Sequence, residues 1–256
     1  MLAKFFKSSI KALLVAAFWI AIWHIAATKV GIELLLPAPL SVLKRLAEMV
    51  QTSEFYLITG FSLIRVMLGI IFATALGIFL AILTHVSKIA DALAKPLITV
   101  IKATPVASFI ILALVWIARK DLPIFISLLM VLPVVWTNLR TGLNEVDRKL
   151  LEMAKVYKVS PWQILRGIYI PSVLPYFTSA AKTSLGLAWK AGIAAEVLAV
   201  PARSIGKELF NSKTYFETAD LFAWTVVVII LSLVIELLFE ALIAKLMKRR
   251  SAYVSN

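Results

Sequence analysis

Residues 152–175 read EMAKVYKVSPWQILRGIYIPSVLP and form a polar, basic stretch between two long apolar runs. A helix is predicted over residues 146–157, where apolar side chains recur at helical spacing. A second helix should begin at Ser160, which is followed by Pro161 at the first helical position and by Gln163, which can complete a capping box. Two short helices joined by a tight turn would form a compact element able to dock a cytosolic protein.

The second short helix carries side chains that suit a partner protein. It is expected to end before Pro171, because a proline ring disfavours helical geometry at the preceding residue. Trp162 and Arg166 place an aromatic ring and a positive charge on this helix. The alternative interpretation is a loop that packs beneath its own helical bundle. We favour docking. A docked partner would drive conformational change in the rest of the chain, which would then not act as a passive pore.

Composition and charge define the class of protein. Of the 256 residues 61% are apolar and the mean hydropathy is +0.94, whereas soluble domains are close to half apolar. The net charge of +13 is attributed to the lysines and arginines of cytoplasmic loops, and nucleic acid is not expected as a partner. The chain has no cysteine, and its two histidines, His24 and His85, do not cluster. Neither a metal site nor a catalytic residue is therefore predicted.

Six apolar segments are long enough to cross a bilayer as helices, since about 20 residues span its hydrocarbon core. These predicted spans are 10–28, 61–85, 97–117, 122–139, 179–200 and 221–244. The first could be mistaken for a signal peptide, but no convincing cleavage site follows it, and we interpret it as a retained span. The expected fold is an all-α integral membrane protein with six transmembrane helices in a single domain, residues 1–256.

Two features relate the chain to the membrane surface. Residues 39–54 predict an amphipathic surface helix, because Leu40, Leu43 and Leu46 recur at helical spacing between charged residues. If the N-terminus is inside, nearly twice as many lysines and arginines lie on the inner side as on the outer side. The positive-inside rule then places both termini and the loop 140–178 in the cytoplasm.

The docking stretch resembles the Glu-Ala-Ala loop of binding-protein-dependent ABC importer permeases. In that loop two alanines follow a glutamate, a glycine comes four residues after the second alanine, and an isoleucine and a proline follow. This chain carries the pattern at Glu152, Met153, Ala154, Lys158, Ile168 and Pro171. The adjoining sequences SPWQILRGIYIPSVLPY and GLAWKAGIAAEVL are similar to the nitrate/sulfonate/taurine branch of these permeases. The resemblance covers about residues 60–245.

This resemblance implies the permease subunit of an importer that moves a small anionic organic solute by alternating access. Such a subunit works with a second permease copy, an extracytoplasmic substrate-binding protein and a cytosolic ATPase dimer, in the plasma membrane of a prokaryote. ATP and Mg would be held by that ATPase, while the permease itself binds no cofactor and is not an enzyme. The residues implied in ATPase docking are Glu152, Ala154, Lys158, Ser160, Trp162, Gln163, Arg166 and Pro171.

A phosphate-binding loop would let the chain hydrolyse ATP by itself. The nearest match is IGKE at residues 205–208, which lacks both the earlier glycine and the serine or threonine after the lysine. An ATP-driven role therefore requires a separate ATPase.

Lys158 is the main departure from the family pattern. A glycine at this position would end the first helix in the left-handed conformation. Lysine adopts that conformation only at a cost of about 1 kcal/mol or more. The turn is therefore expected either to be strained or to close differently.

Charged residues inside the fifth and sixth predicted spans point to a translocation path. Ionisable side chains at membrane depth are costly and usually face the protein interior or water. The predicted path residues are Lys182, Lys190, Glu196 and Glu236, and the path would be basic enough to pass an anion. The alternative interpretation is that these residues form ion pairs between helices or extend to the membrane surface.

Two other functional classes were weighed. An ion-coupled secondary transporter would use the buried charges of the fifth and sixth spans, but the sequence has no inverted repeat or paired broken helices and the docking stretch would stay unexplained. A membrane-embedded enzyme would need a cluster of His, Asp, Ser or Cys at membrane depth, and the sequence contains none.

Overall fold

The predicted all-α architecture is confirmed by a computed structural model, which describes residues 2–254, with side chains described for residues 14–243 and for Lys245. Within residues 2–254 the chain forms α-helices and one π-helical segment, and no strand. The elements are α1 (Leu2–Val30), α2 (Pro39–Met49), α3 (Ser53–Val86), α4 (Lys88–Ala103), α5 (Val106–Ala113), α6 (Leu122–Asn144), α7 (Arg148–Val156), α8 (Pro161–Ile164), the π segment (Leu165–Tyr169), α9 (Ile170–Ala199), α10 (Ile205–Thr214) and α11 (Thr218–Val254).

The centre of the bundle is α6, which packs between α3 and α9. Small residues on α3 allow the close approach. A Cβ atom at Gly69 would lie 2.6 Å from the carbonyl oxygen of Ile124, and one at Gly77 would lie 2.7 Å from Val135 Cγ1. Small residues let membrane helices come close enough for extensive van der Waals contact. The sequence of α3 thus sets its position on α6.

Length and composition support three or four membrane spans, where the sequence pattern predicted six. Three segments are long and apolar enough to cross a membrane, namely Ser53–Val86, Leu122–Asn144 and Thr218–Ile243. The pair α4 and α5 would make a fourth, although it is bent by 103°. The described apolar part of α1, Leu14–Val30, is shorter. The side chains of residues 10–13 and 244, which belong to the first and last predicted spans, lie outside the described residues, as do Met1, Ser255 and Asn256.

The third predicted span, 97–117, is wrong as a single straight helix. Thr104 adopts an extended conformation with ψ of 131°, and α5 begins directly after Pro105. Proline has no N–H to continue the helix, and its ring disfavours helical geometry at the preceding residue. The chain therefore bends at this point between α4 and α5.

The predicted end of the second docking helix at Pro171 is also wrong. α8, the π segment and α9 follow one another without a break from Pro161 to Ala199. The Ile170 N–H donates to the carbonyl of Leu165, five residues earlier. In a regular α-helix the Pro171 ring would meet the carbonyl four residues before it, and the wider π turn relieves that clash. The docking helix and the fifth predicted span are thus parts of one continuous helix.

The predicted amphipathic helix is shorter than expected and is anchored to the bundle. α2 ends at Met49 and packs on α11 through the buried Val42 and Met49. Arg45 donates two hydrogen bonds to the carboxylate of Asp220, from Nε at 2.5 Å and Nη2 at 2.8 Å. These bonds raise the pKa of the Arg45 guanidinium above its ordinary value. Leu40 lies on the opposite, exposed face, which leaves an apolar side free.

Candidate functional site

The docking loop keeps a small buried side and a large exposed side. Asp147 caps the N-terminus of α7, and its side chain accepts a hydrogen bond from the Lys149 N–H at 2.8 Å. Ala154 is the buried residue of this helix. Glu152 points away from the bundle and is exposed. The alanine of the Glu-Ala-Ala pattern therefore faces the protein, and the glutamate is available to a partner.

The turn after α7 has the geometry that a glycine usually provides. Lys158 has a φ of 55°, in the left-handed region. The Val159 N–H donates to the carbonyl of Ala154 at 2.9 Å, and the Lys158 N–H donates to that of Lys155 at 3.2 Å. These two bonds form a Schellman motif. Of the two expected outcomes, the strained turn is the one observed.

Replacing Lys158 by glycine is expected to stabilise this turn by about 1 kcal/mol, because glycine has no Cβ to strain the left-handed conformation. Hydrogen–deuterium exchange of the Lys158 and Val159 amides should slow by about fivefold if exchange follows local opening. Lys155→Gly is the matched control, since it removes the same charge from a right-handed helical position and should speed exchange of these amides. Faster exchange in both variants would contradict the assigned strain.

The start of α8 is fixed by the predicted capping box. The Gln163 N–H donates to Ser160 Oγ at 3.4 Å, and the Ser160 N–H donates to Gln163 Oε1 at 3.2 Å. Pro161 occupies the first turn. The Trp162 ring follows at once and is 66% exposed. A rigid helix start thus presents a large aromatic side chain to the surroundings.

Seven exposed side chains of α7, the turn, α8 and the π segment are here called the docking surface: Glu152, Met153, Val156, Tyr157, Trp162, Gln163 and Arg166. Large exposed apolar side chains beside charges are typical of interaction sites. Sequence reasoning found the glutamate, tryptophan, glutamine and arginine. It did not assign Met153, Val156 and Tyr157 to docking. Helical spacing places Met153 and Val156 away from the buried Ala154, but Tyr157 lies three residues after Ala154 and gave no such signal.

Two of the predicted path residues lie together between α9 and α11. Lys182 and Glu236 line a cavity of about 270 Å³, with Thr183 beside them. Lys182 Nζ lies 2.6 Å from Glu240 Oε1, and both side chains are about half exposed. The cavity therefore contains one lysine and two carboxylates, with one ion pair formed. Lys190 is exposed further along α9 and does not line this cavity.

Glu196 lies apart from that cavity, fully buried in a separate network. Its carboxylate accepts hydrogen bonds from Ser62 Oγ at 2.8 Å, from the Gly206 N–H at 3.2 Å and from Arg65 Nη1 at 3.3 Å. Ser62 Oγ in turn accepts from the Ile205 N–H at 2.9 Å. These residues, here called the clamp, join α3, α9 and the start of α10.

The clamp also holds a strained loop. Val200 and Arg203 have φ values of 51° and 49°, which bulky residues adopt only at a cost. Arg65 donates to the carbonyl oxygens of Ala202 at 2.9 Å and Arg203 at 3.1 Å.

A Cβ atom at Gly206 would overlap Glu196, so the close approach of α10 to α9 requires glycine. Sequence reasoning missed Arg65, Ser62 and Gly206, and the only signal was an arginine inside an apolar span.

The described residues offer no group of three or more His, Cys, Asp and Glu side chains that could hold a metal ion. The polar contacts of the α9–α11 cavity and of the clamp are ion pairs and hydrogen bonds. What these arrangements can do is bind a charged group or fix one helix to another.

Similarity to known proteins covers most of the chain. Residues 73–251 match the family model described as binding-protein-dependent transport system inner membrane component. One relative is a permease protein of Bacillus subtilis that is named for aliphatic sulfonates transport. It is 26% identical over 95% of this chain and 88% of its own length. The taurine transport system permease of Escherichia coli is 26% identical over 86% of this chain and 82% of its own.

Two further proteins are similar to this chain, a relative that aligns over about half of it and a transporter of known structure. The nitrate import permease of Synechococcus elongatus is 30% identical over 54% of this chain and 50% of its own length. A crystal structure of an amino acid ABC transporter with histidines superposes with a TM-score of 0.61 and 19% identity, covering 82% of this chain and 97% of that chain. At this identity the superposition shows a shared helical fold.

Proposed function

The chain belongs to the family of binding-protein-dependent transport system inner membrane components, and from this premise we propose that it is the permease subunit of an ATP-driven importer. The proposed cargo is a small anionic organic solute of the sulfonate, taurine or nitrate type. The names of the relatives from Bacillus subtilis, Escherichia coli and Synechococcus elongatus support this class. The subunit is non-catalytic, and ATP and Mg are held by a partner ATPase.

The proposed partners meet the chain at different faces. A cytosolic ATPase dimer docks on residues 146–171, and the exposed apolar and charged side chains of the docking surface support this placement. An extracytoplasmic substrate-binding protein delivers the solute, and a second copy of the chain completes the pathway. We place six crossings in the plasma membrane, α1, α3, the bent pair α4–α5, α6, α9 and α11, with both termini in the cytoplasm.

The continuous helix from Pro161 to Ala199 is the observation that carries this mechanism. At 1.5 Å per residue its length is roughly 58 Å, which exceeds the 30 Å or so of a bilayer's hydrocarbon core. One end carries the docking surface and the other end is fixed to α10 by the clamp. Closure of the ATPase dimer would therefore move this helix as a lever, because no flexible linker separates the docking surface from α9. That movement would give alternating access.

The path for the solute is proposed along the α9–α11 cavity, with Lys190 further along α9. An incoming anion would compete with Glu240 for Lys182, while Glu236 adds a second negative charge that limits how long the anion stays. Because the anion must displace Glu240 from Lys182, it binds weakly enough to be released. Glu196 acts on transport indirectly, by holding α9 and α10 in register.

Co-purification and uptake test this function together. The tagged chain, extracted in mild detergent, is expected to bring down a stoichiometric ATPase, and liposomes containing the complex and the binding protein should take up the solute only with internal ATP and Mg. Dissipating ion gradients should leave uptake unchanged. A chain that purifies alone and supports gradient-driven uptake would replace this function with ion-coupled transport by the charges of α9 and α11.

A further inference from the structure

α3 and α9 are held together at one end and separate at the other. Near the clamp Gly192 lies directly against Val66. Towards the docking surface the two helices diverge and leave a wedge-shaped cavity of about 500 Å³, floored by Leu139 and Leu143 of α6. One wall is the end of α3, and the other is the π segment with the first turns of α9. The wedge thus lies directly behind the helix that carries the docking surface.

The lining of the wedge is apolar along its body and polar at one end. Ile78, Ile82, Leu174 and Phe177 belong to the apolar body. At the other end the rings of His85 and Tyr169 pack edge to face with their centroids 6.5 Å apart, and His85 Nδ1 is 3.3 Å from Asn144 Oδ1. An apolar cavity of this kind offers a polar solute or water no partners along its length. Its ligand must be apolar in its body and polar at one end.

Charge at the polar end selects the sign of that ligand. Lys88 begins α4 two residues after Val86, which lines the wedge, and Arg166 follows Leu165, which also lines it. Basic side chains near the cytoplasmic membrane surface attract anionic lipid headgroups. A helix of a partner protein fits less well, because a single turn of helix with its side chains already fills roughly 500 Å³.

We propose that the wedge binds one acyl chain of an anionic glycerophospholipid, with its headgroup beside Lys88 and Arg166. The lipid packs against the π segment and so supports the docking end of the α9 lever. The inference rests on the proposed function for the side of the membrane and for the effect on coupling. Lipid binding itself does not require the ATPase.

Native mass spectrometry of the purified protein tests the binding. After exchange into vesicles of phosphatidylcholine and phosphatidylglycerol and gentle extraction, one phosphatidylglycerol per chain is expected to remain bound. Ile82→Trp fills the wedge at a side chain that is 53% exposed, so the protein should fold and lose this lipid. Phe79→Trp is the matched control, since Phe79 is 60% exposed on the same helix and does not line the wedge. Lys88→Gln should weaken the preference for phosphatidylglycerol by about fivefold.

A photo-crosslink identifies the occupant directly. The chain has no cysteine, so Val86→Cys, at an exposed side chain on the edge of the wedge, can be labelled uniquely with a benzophenone maleimide. Illumination in the same vesicles should add the mass of one lipid. A crosslink to a second copy of the chain, or equal lipid retention by Ile82→Trp and the unaltered protein, overturns the proposal. If the ATPase fails to co-purify while the lipid is still captured, the importer function fails and the lipid site stands.

Discussion

Glu152→Lys is expected to release the ATPase from the purified complex. The carboxylate is exposed on α7, and among the described side chains it takes part in no ion pair within the chain. Reversing its charge should therefore leave the fold intact. Breaking a buried interfacial charge pair costs about 2–5 kcal/mol, which weakens binding by about 30-fold or more at 1.4 kcal/mol per tenfold.

The measurement is the amount of ATPase that co-purifies with the tagged chain, followed by ATP-driven uptake in liposomes. Glu145→Lys is the matched control, because Glu145 is an exposed glutamate at the end of α6, seven residues outside the docking position. It should retain the ATPase. An intact complex that transports normally with Glu152→Lys would remove Glu152 from the docking surface.

Glu196→Gln is expected to destabilise the bundle and lower transport while the ATPase stays bound. The carboxylate is fully buried and accepts from three donors, one of them the guanidinium of Arg65. A neutral amide leaves the Arg65 charge poorly compensated, and breaking a buried ion pair costs about 3–5 kcal/mol. The strained loop after α9 should then loosen, because Arg65 also binds its carbonyls.

Thermal unfolding of the purified protein and uptake assays measure the two effects. Glu240→Gln is the control for stability, since Glu240 pairs with Lys182 where both are about half exposed, and such pairs contribute little. Its midpoint of unfolding should stay close to that of the unaltered protein. Unchanged uptake and stability in Glu196→Gln would contradict the role of Glu196 in the clamp.

The local structure of the docking loop follows closely from its sequence. The capping box from Ser160 to Gln163 and the left-handed turn at Lys158 involve residues only a few positions apart, so short-range hydrogen bonds and backbone sterics decide them. The composition in the same way predicted an all-helical membrane protein. These features depend on neighbours in the chain and need no knowledge of the packing.

Pro105 and Pro171 show where that reasoning fails. Pro105 was expected to lie inside a straight span, yet its missing N–H ends a helix there and the chain bends by 103°. Pro171 was expected to end a helix, yet the chain continues through it. The difference lies in the π segment before Pro171, where hydrogen bonds to the fifth preceding residue give the ring room.

By itself the sequence determined the membrane class, the local structure of residues 147–164 and the presence of charges inside the spans. Only the tertiary structure decided which charges meet, because pairing joins residues far apart in the chain. Glu196 and Lys182 lie on the same helix, yet one binds Arg65 in the buried clamp and the other binds Glu240 beside an open cavity. Helical spacing gives the face of a residue, and the packing of α3, α10 and α11 against α9 gives its partner.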